Sequence, residues 1–273
     1  MIIRFYGTRG SIPVASKGTK KYGGNTTCLY VESKYGEVLV IDAGTGIREL
    51  GVHLVQSKKE KIHLIFTHYH WDHIQGFPFF VPVFLESSTI KIYGSDREST
   101  VRNALSYQMT RPYFPIEMNM LPAKISFHEL QKRNTIAGIT IQTIVNNHPD
   151  YTLGLKLTEG KRSFVLLTDN ELYAKDGNTP YEGFVEFVRG ADFCIHDAQY
   201  TEELYDKRIG WGHSTYTQVM NLVKDAGVKR VYFTHHDHGS DDQFIDSMVR
   251  KMKRKYPRLG IEAAADGKKV VLK

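Results

Sequence analysis

In this chain of 273 residues, one apolar run after another stops at a histidine or an aspartate. Residues 38–41 lead into Asp42, 62–66 into Thr67 and His68, and 139–145 into Asn146, Asn147 and His148. Residues 164–167 lead into Thr168 and Asp169, 193–195 into His196 and Asp197, and 231–233 into Thr234 and His235. Runs so short and so rich in Ile, Val, Leu and Phe read as buried strands. Polar groups just past successive strands converge if those strands share a sheet edge, which is how open α/β sheets build their sites.

Further strands are expected over 2–6, 27–32, 89–93 and 153–157, the last pairing with 164–167 across Gly160 as a hairpin. Helices are expected over 47–56, 97–109, 181–188, 215–226 and 243–255. In the second of these Val101, Leu105 and Met109 fall on one face. No low-complexity linker and no internal repeat divides the chain. Strands alternating with helices in two halves therefore predict one α/β domain, 1–273, built as a four-layer αββα sandwich.

Composition bears on where such a chain works. No apolar run approaches the ~18 residues that span a membrane. The segment Met1-Ile2-Ile3-Arg4-Phe5-Tyr6-Gly7 is too short and strand-like for a secretion signal. Cys28 and Cys194 lie in apolar surroundings; one disulfide is possible, but buried thiols are the expectation and match a reducing cytoplasm. The net charge of +6 suits an anionic substrate. Much of the excess is the run Arg250-Lys251-Met252-Lys253-Arg254-Lys255, which on a helix reads as a solvated face.

The chemistry concentrates in Thr67-His68-Tyr69-His70-Trp71-Asp72-His73. Such density has no explanation in packing or solubility. His68 and His70 are spaced to chelate one ion as the chain leaves its strand. Asp72 and His73 cannot easily reach that ion and are placed for a second. Imidazole and carboxylate suit zinc, with manganese and iron as further candidates.

These residues resemble the main motif of metallo-β-lactamase-fold hydrolases, and the whole set is most similar to the ribonuclease Z-like phosphodiesterase branch. Asp42-Ala43-Gly44-Thr45-Gly46 also fits that superfamily. The resemblance implies two divalent metal ions. It assigns His68, His70 and His148 to the first and Asp72, His73 and His235 to the second, with Asp169 bridging both. His236 competes with His235, but strand-end geometry favours His235. His196-Asp197-Ala198 resembles the His-Glu-Ala segment of ribonuclease Z with Asp in place of Glu, and Gly212-His213-Ser214-Thr215 resembles its Gly-His-Ser-Thr segment. His213 is thereby expected to hold a phosphate oxygen or protonate the leaving group, oriented by Asp197. Asp72, His213 and Asp197 are the expected catalytic residues. His213, Ser214 and Asn25 are the expected substrate contacts. Ser214 or Thr215 would also cap the next helix, and Asn25 would also serve its glycine turn.

A bridging carboxylate, where zinc β-lactamases place Cys, favours a hydroxide shared by two ions that attacks a phosphodiester. Ribonuclease Z carries a long tRNA-gripping arm between the third His and the bridging Asp, whereas here only a hairpin separates His148 from Asp169. Long RNA is therefore disfavoured, and a small phosphodiester, foremost a cyclic mononucleotide, is the expected substrate. Arm-less members of the branch act on cyclic nucleotides and cyclic ribose phosphates. The alternatives are tRNA 3′ processing and thioester or lactone hydrolysis. The resemblance also implies a homodimer.

Overall fold

The computed structural model describes residues 1–94 and 98–273. Its strands form two seven-stranded sheets. Numbered in chain order, the first sheet runs β14 (Lys269–Val271), β1 (Ile2–Gly7), β2 (Cys28–Glu32), β3 (Val38–Ile41), β4 (Lys61–Ile65), β5 (Thr89–Gly94) and β6 (Lys124–Glu129). The second runs β13 (Gly260–Ala263), β12 (Arg230–Thr234), β11 (Phe193–Asp197), β10 (Arg162–Leu167), β9 (Leu153–Glu159), β8 (Ile139–Val145) and β7 (Arg133–Ile136). In both, three antiparallel pairings give way to three parallel ones.

A strand covered on both faces must be apolar throughout. That is why β3 reads Val-Leu-Val-Ile with no polar alternation. Leu39 and Ile41 face a core between the sheets, shared with Ile139, Leu155 and Leu166. Val38 and Val40 face the opposite way, onto α1 (Ile47–Gln56) and α3 (Glu98–Gln108) through Leu50, Leu54, Val101 and Leu105. β10 repeats the arrangement. Phe164 and Leu166 point inward, while Val165 and Leu167 meet Phe184 of α4 (Tyr181–Val188), Val219 of α6 (Tyr216–Asp225) and Met248 of α7 (Asp242–Lys255). The layers are helix, sheet, sheet, helix, as expected.

Four strands carry no clear sequence signal: β6, β7, β13 and β14. They are the edges of the two sheets. Edge strands are short, half-exposed and charged, so they lose the apolar pattern that marks interior strands. Arg97, the first residue of the expected second helix, lies outside the described residues. Cys28 and Cys194 are free and buried, and burial pushes both thiols up. No helix among the described residues is long and apolar enough to cross a membrane.

Candidate metal centre

The C-terminal ends of β4, β8, β10 and β12 meet at one place. Past β4 the chain carries His68 and His70 and then turns into the one-turn helix α2 (Trp71–Ile74), which presents Asp72 and His73. Past β8 comes His148, past β10 Asp169, and past β12 His235. Two groups of donors result. His68, His70 and His148 bring one ligand atom each within 4.8 Å of one another, and so do Asp72, His73, Asp169 and His235. A third grouping, His148, Asp169 and His213, overlaps them.

Asp169 stands between the two groups. Its Oδ1 is 3.9 Å from His68 Nε2 and 3.2 Å from His235 Nε2. Its Oδ2 is 3.2 Å from His73 Nε2. Asp72 Oδ2 lies 3.0 Å from His235 Nε2 and accepts the Ser11 N–H at 2.7 Å. The loop before Ser11 packs so closely that a Cβ on Gly10 would meet the His235 ring at 2.2 Å, which only glycine avoids.

Each imidazole is oriented from behind. His73 Nδ1 donates to Asp42 at 2.9 Å, His235 Nδ1 to Gln199 Oε1 at 3.2 Å, and His148 Nδ1 to the Gly212 carbonyl at 3.2 Å. His68 Nδ1 is 3.2 Å from Thr67 Oγ1, which itself donates to Asp42 at 2.9 Å. These bonds hold the Nδ1 side of each of these four rings and so turn Nε2 of all four toward the cluster. Nε2 of His68 and of His73 are buried with no aligned hydrogen-bond partner. Orphaned buried nitrogens are costly unless a ligand takes the lone pair. The donors are nitrogen and oxygen only, and the cluster can hold divalent cations.

A family model described as a β-lactamase superfamily domain matches residues 38–236. The chain belongs to that superfamily. It is 22% identical to "Ribonuclease Z" of Oceanobacillus iheyensis, covering 94% of this chain and 96% of the relative. It is 23% identical to "Ribonuclease Z" of Archaeoglobus fulgidus, covering 85% and 86%. Among solved structures, the metallo-β-lactamase fold protein YhfI of Bacillus subtilis superposes with a TM-score of 0.72 at 18% identity, covering 98% of both chains. The short form of human tRNase Z gives 0.69 at 18% identity over 100% of both chains. A diphosphatase of the PhnP family gives 0.69 at 18% identity, covering 100% of this chain and 98% of that one.

The electrostatics of the superfamily motif here are those of a cation site. Burial would raise Asp72 and Asp169, but the surrounding histidines outweigh it and hold both below the usual carboxylate range. Burial would lower His73 and His235, but Asp169 and Asp72 outweigh it and raise both. His68 and His148 are pushed down, by burial first. Carboxylates and imidazoles of the Asp72–Asp169 group thus favour one another's charged forms.

His213 and Asp197 stand beside this cluster. Nδ1 of His213 is 3.3 Å from Asp197 Oδ2, a close approach without an aligned hydrogen bond. The His213 ring stacks on His235 at 5.0 Å and meets His148 edge-on at 5.4 Å. Burial would raise Asp197, but His196 and His213 overcome it and hold the carboxyl at about 2.

Two expected substrate contacts have their polar ends engaged within the protein. Both ends of the Asn25 amide are engaged, Nδ2 donating to Asp266 at 3.1 Å and Oδ1 accepting from Thr45 at 3.1 Å, so the side chain serves its turn. The Ser214 hydroxyl donates to the Asn170 carbonyl at 2.6 Å and accepts from Leu172 N–H at 3.0 Å. It is fully buried and braces the loop that carries Asp169. Thr215, not Ser214, caps α6, in a capping box with Gln218. His236 turns away from the cluster. Its Nε2 donates to the Ala264 carbonyl at 3.0 Å, and burial lowers the ring to about 4.

Several supporting residues escape a reading by residue type. Asp42, Thr67 and Gln199 orient ligands. Asp150 sits 2.7 Å from His70 Nε2. Arg9 is buried and donates to the carbonyls of Gly23, Asp237 and Ser240 at 2.9, 3.1 and 2.6 Å, which pins the His235 loop.

Proposed function

We propose that this protein is a metal-dependent phosphodiesterase for a small phosphodiester, foremost a cyclic mononucleotide. The observation that carries the reading is His213, an imidazole backed by a buried carboxylate and in ring contact with ligand candidates of both donor groups. His68, His70 and His148 would hold one ion and Asp72, His73 and His235 another, with Asp169 shared. Bound divalent ions supply charge neutralisation for the phosphoryl oxygens and an acidified water as nucleophile. His213 stands ready to donate a proton to the leaving oxygen, and buried Asp197 stabilises the imidazolium before that transfer. Zinc is the proposed ion, with manganese or iron accepted by the same donors.

Three observations favour a small substrate. Only the β9–β10 hairpin separates His148 from Asp169. The match to the Oceanobacillus iheyensis relative runs over 305 positions, more than the 273 residues of this chain, so that relative carries insertions absent here. Beside His148 lies a cavity of about 300 Å³, bordered by Pro149, Ile209 and Gly210, at the small end of ligand-pocket sizes. The same reading includes one domain per chain, a homodimer and a cytoplasmic setting.

The test is hydrolysis of a panel of cyclic mononucleotides by zinc- or manganese-loaded protein, with Asp72→Ala and His213→Ala alongside. Turnover of a cyclic nucleotide that both variants lose supports the reading. Cleavage of an aryl phosphodiester alone keeps the chemistry and rejects the substrate. Silence on both moves thioester or lactone hydrolysis forward. A second reading, cleavage of precursor tRNA, is favoured by the relatives named Ribonuclease Z and by the basic end of α7. Correct 3′ cleavage of a precursor transcript would establish it.

A further inference from the structure

We infer that Glu171 is a positioning residue that holds His148 and His213 in a fixed mutual arrangement. Glu171 lies two residues past Asp169 and is buried. Its carboxylate accepts the Gly210 N–H at 3.0 and 2.9 Å on its two oxygens, the Gly212 N–H at 3.0 Å, and the Tyr205 hydroxyl at 2.9 Å. Gly210 and Gly212 both have positive φ, +85° and +83°. That backbone brings these two N–H groups onto one point, while the Trp211 N–H between them goes to the Arg208 carbonyl, and makes a concavity of the kind that elsewhere binds anions such as phosphate. Here the chain's own carboxylate occupies it.

The consequence reaches the cluster in two directions. The Gly212 carbonyl accepts from His148 Nδ1 at 3.2 Å, which turns His148 Nε2 inward, 3.1 Å from His70 Nδ1 of the same donor group. The approach is so close that a Cβ on Gly212 would meet His148 Nδ1 at 2.0 Å. The residue after Gly212 is His213. The main chain of Glu171 is itself tied to the residue before His148. Its N–H donates to the Asn147 carbonyl at 2.9 Å, and its carbonyl accepts from Asn147 Nδ2 at 3.1 Å. One acidic residue therefore clamps the loop carrying His213 against the loop carrying His148. A neutral amide cannot accept both glycine N–H groups with the same strength, because charge-assisted bonds are roughly twice as strong.

The inference rests on the proposed metal-dependent reading only for its kinetic arm. Its first arm needs no substrate. Metal-free protein is titrated with cobalt in an Asp72→Ala background, where the His68–His70–His148 group remains intact. Glu171→Gln should weaken cobalt binding about tenfold or more, the range for residues behind metal ligands. The ¹⁵N shifts of His148 should change from the Nδ1–H tautomer to a mixture. Tyr205→Phe, which removes one donor and leaves the charge, should act in the same direction and less, and it carries the test if Glu171→Gln fails to fold. Unchanged cobalt affinity and tautomer, even with a lower unfolding temperature, would mean a mere structural staple and overturn the inference. In the kinetic arm, metal-saturated Glu171→Gln should lose kcat on bis(4-nitrophenyl) phosphate by about tenfold with little change in KM. Full kcat would overturn the His213 half of the inference. Wild-type protein that binds cobalt but cleaves no phosphodiester would sink the functional reading and leave the cobalt result standing.

Discussion

The two sheets use one plan and one backbone device for different ends. Each passes from antiparallel to parallel pairing at its fourth strand in spatial order, β3 in the first and β10 in the second. Just past each of these strands sits an aspartate in the left-handed region, Asp42 at φ +61° and Asp169 at φ +57°. Strain of this kind costs of order 1–3 kcal/mol and persists only where the surroundings enforce it. Asp42 is saturated by the protein: Thr67 N–H at 2.8 Å, Thr67 Oγ1 at 2.9 Å and His73 Nδ1 at 2.9 Å. Asp169 takes one firm hydrogen bond, from Thr168 Oγ1 at 2.6 Å, and otherwise faces imidazole nitrogens. A similar frame thus yields a carboxylate saturated by the scaffold in one half and one left facing the imidazole cluster in the other, according to which donors the protein itself supplies.

That contrast breaks most easily at the two aspartates. Asp169→Ala should abolish loading of both ions and cut phosphodiesterase activity by more than about 100-fold, beyond the 10–100-fold usual for residues behind the ligands. Asp42→Asn should fall within that lesser range, read as metal affinity by titration, because it disturbs His73 and, through Thr67, His68. Equal losses in the two variants would show that the halves are not used differently. Ion removal gives the next effect. Free ion at 100 times its dissociation constant should stabilise the wild-type fold by about 2.7 kcal/mol, and a chelator should take that away. The unfolding temperature of Asp169→Ala should ignore the chelator; a response equal to wild type would place the ions elsewhere.

How far the sequence foretells all this follows the same divide between interior and periphery. Interior strands are legible because burial on both faces demands continuous apolar runs, as in Val38–Ile41. The edge strands, with segments such as Arg-Asn-Thr-Ile and Gly-Ile-Glu-Ala, are not, because half-exposed strands need no such run. Ligand candidates stand out because imidazoles and carboxylates recur at strand ends. Gln199 and Glu171 do not, and Asp42 stands out without revealing its role, since these roles depend on partners far away in sequence. For Asn25 and Ser214 the internal partners are equally hidden: proximity in a motif says nothing about which neighbouring groups will claim a short polar side chain.

A last prediction tests the seam between the halves. Asp266 lies on the connection by which β14 returns to the first sheet, and accepts Asn25 N–H and Nδ2 at 3.1 Å each. Burial raises its carboxyl to about 6, with the Asn25 hydrogen bonds opposing. An unfolded Asp titrates near ~3.9, so between about pH 4 and 6 the folded chain holds a proton that the unfolded chain has released. Stability from this group is therefore fullest below that window and falls as pH rises through it. Asp266→Asn should flatten that slope in urea titrations at pH 4 and pH 7; an unchanged slope would assign it to other groups.

The two cysteines turn the same division into a clock. Cys28 sits on β2 in the core beneath α1 and α3, and Cys194 on β11 in the core beneath α4, α6 and α7. Each half carries one thiol, both are sealed from solvent, and neither is bonded to the other. A thiol reagent can reach either only when its own half opens. Labelling followed site by site would time the breathing of each sheet separately, with no probe added.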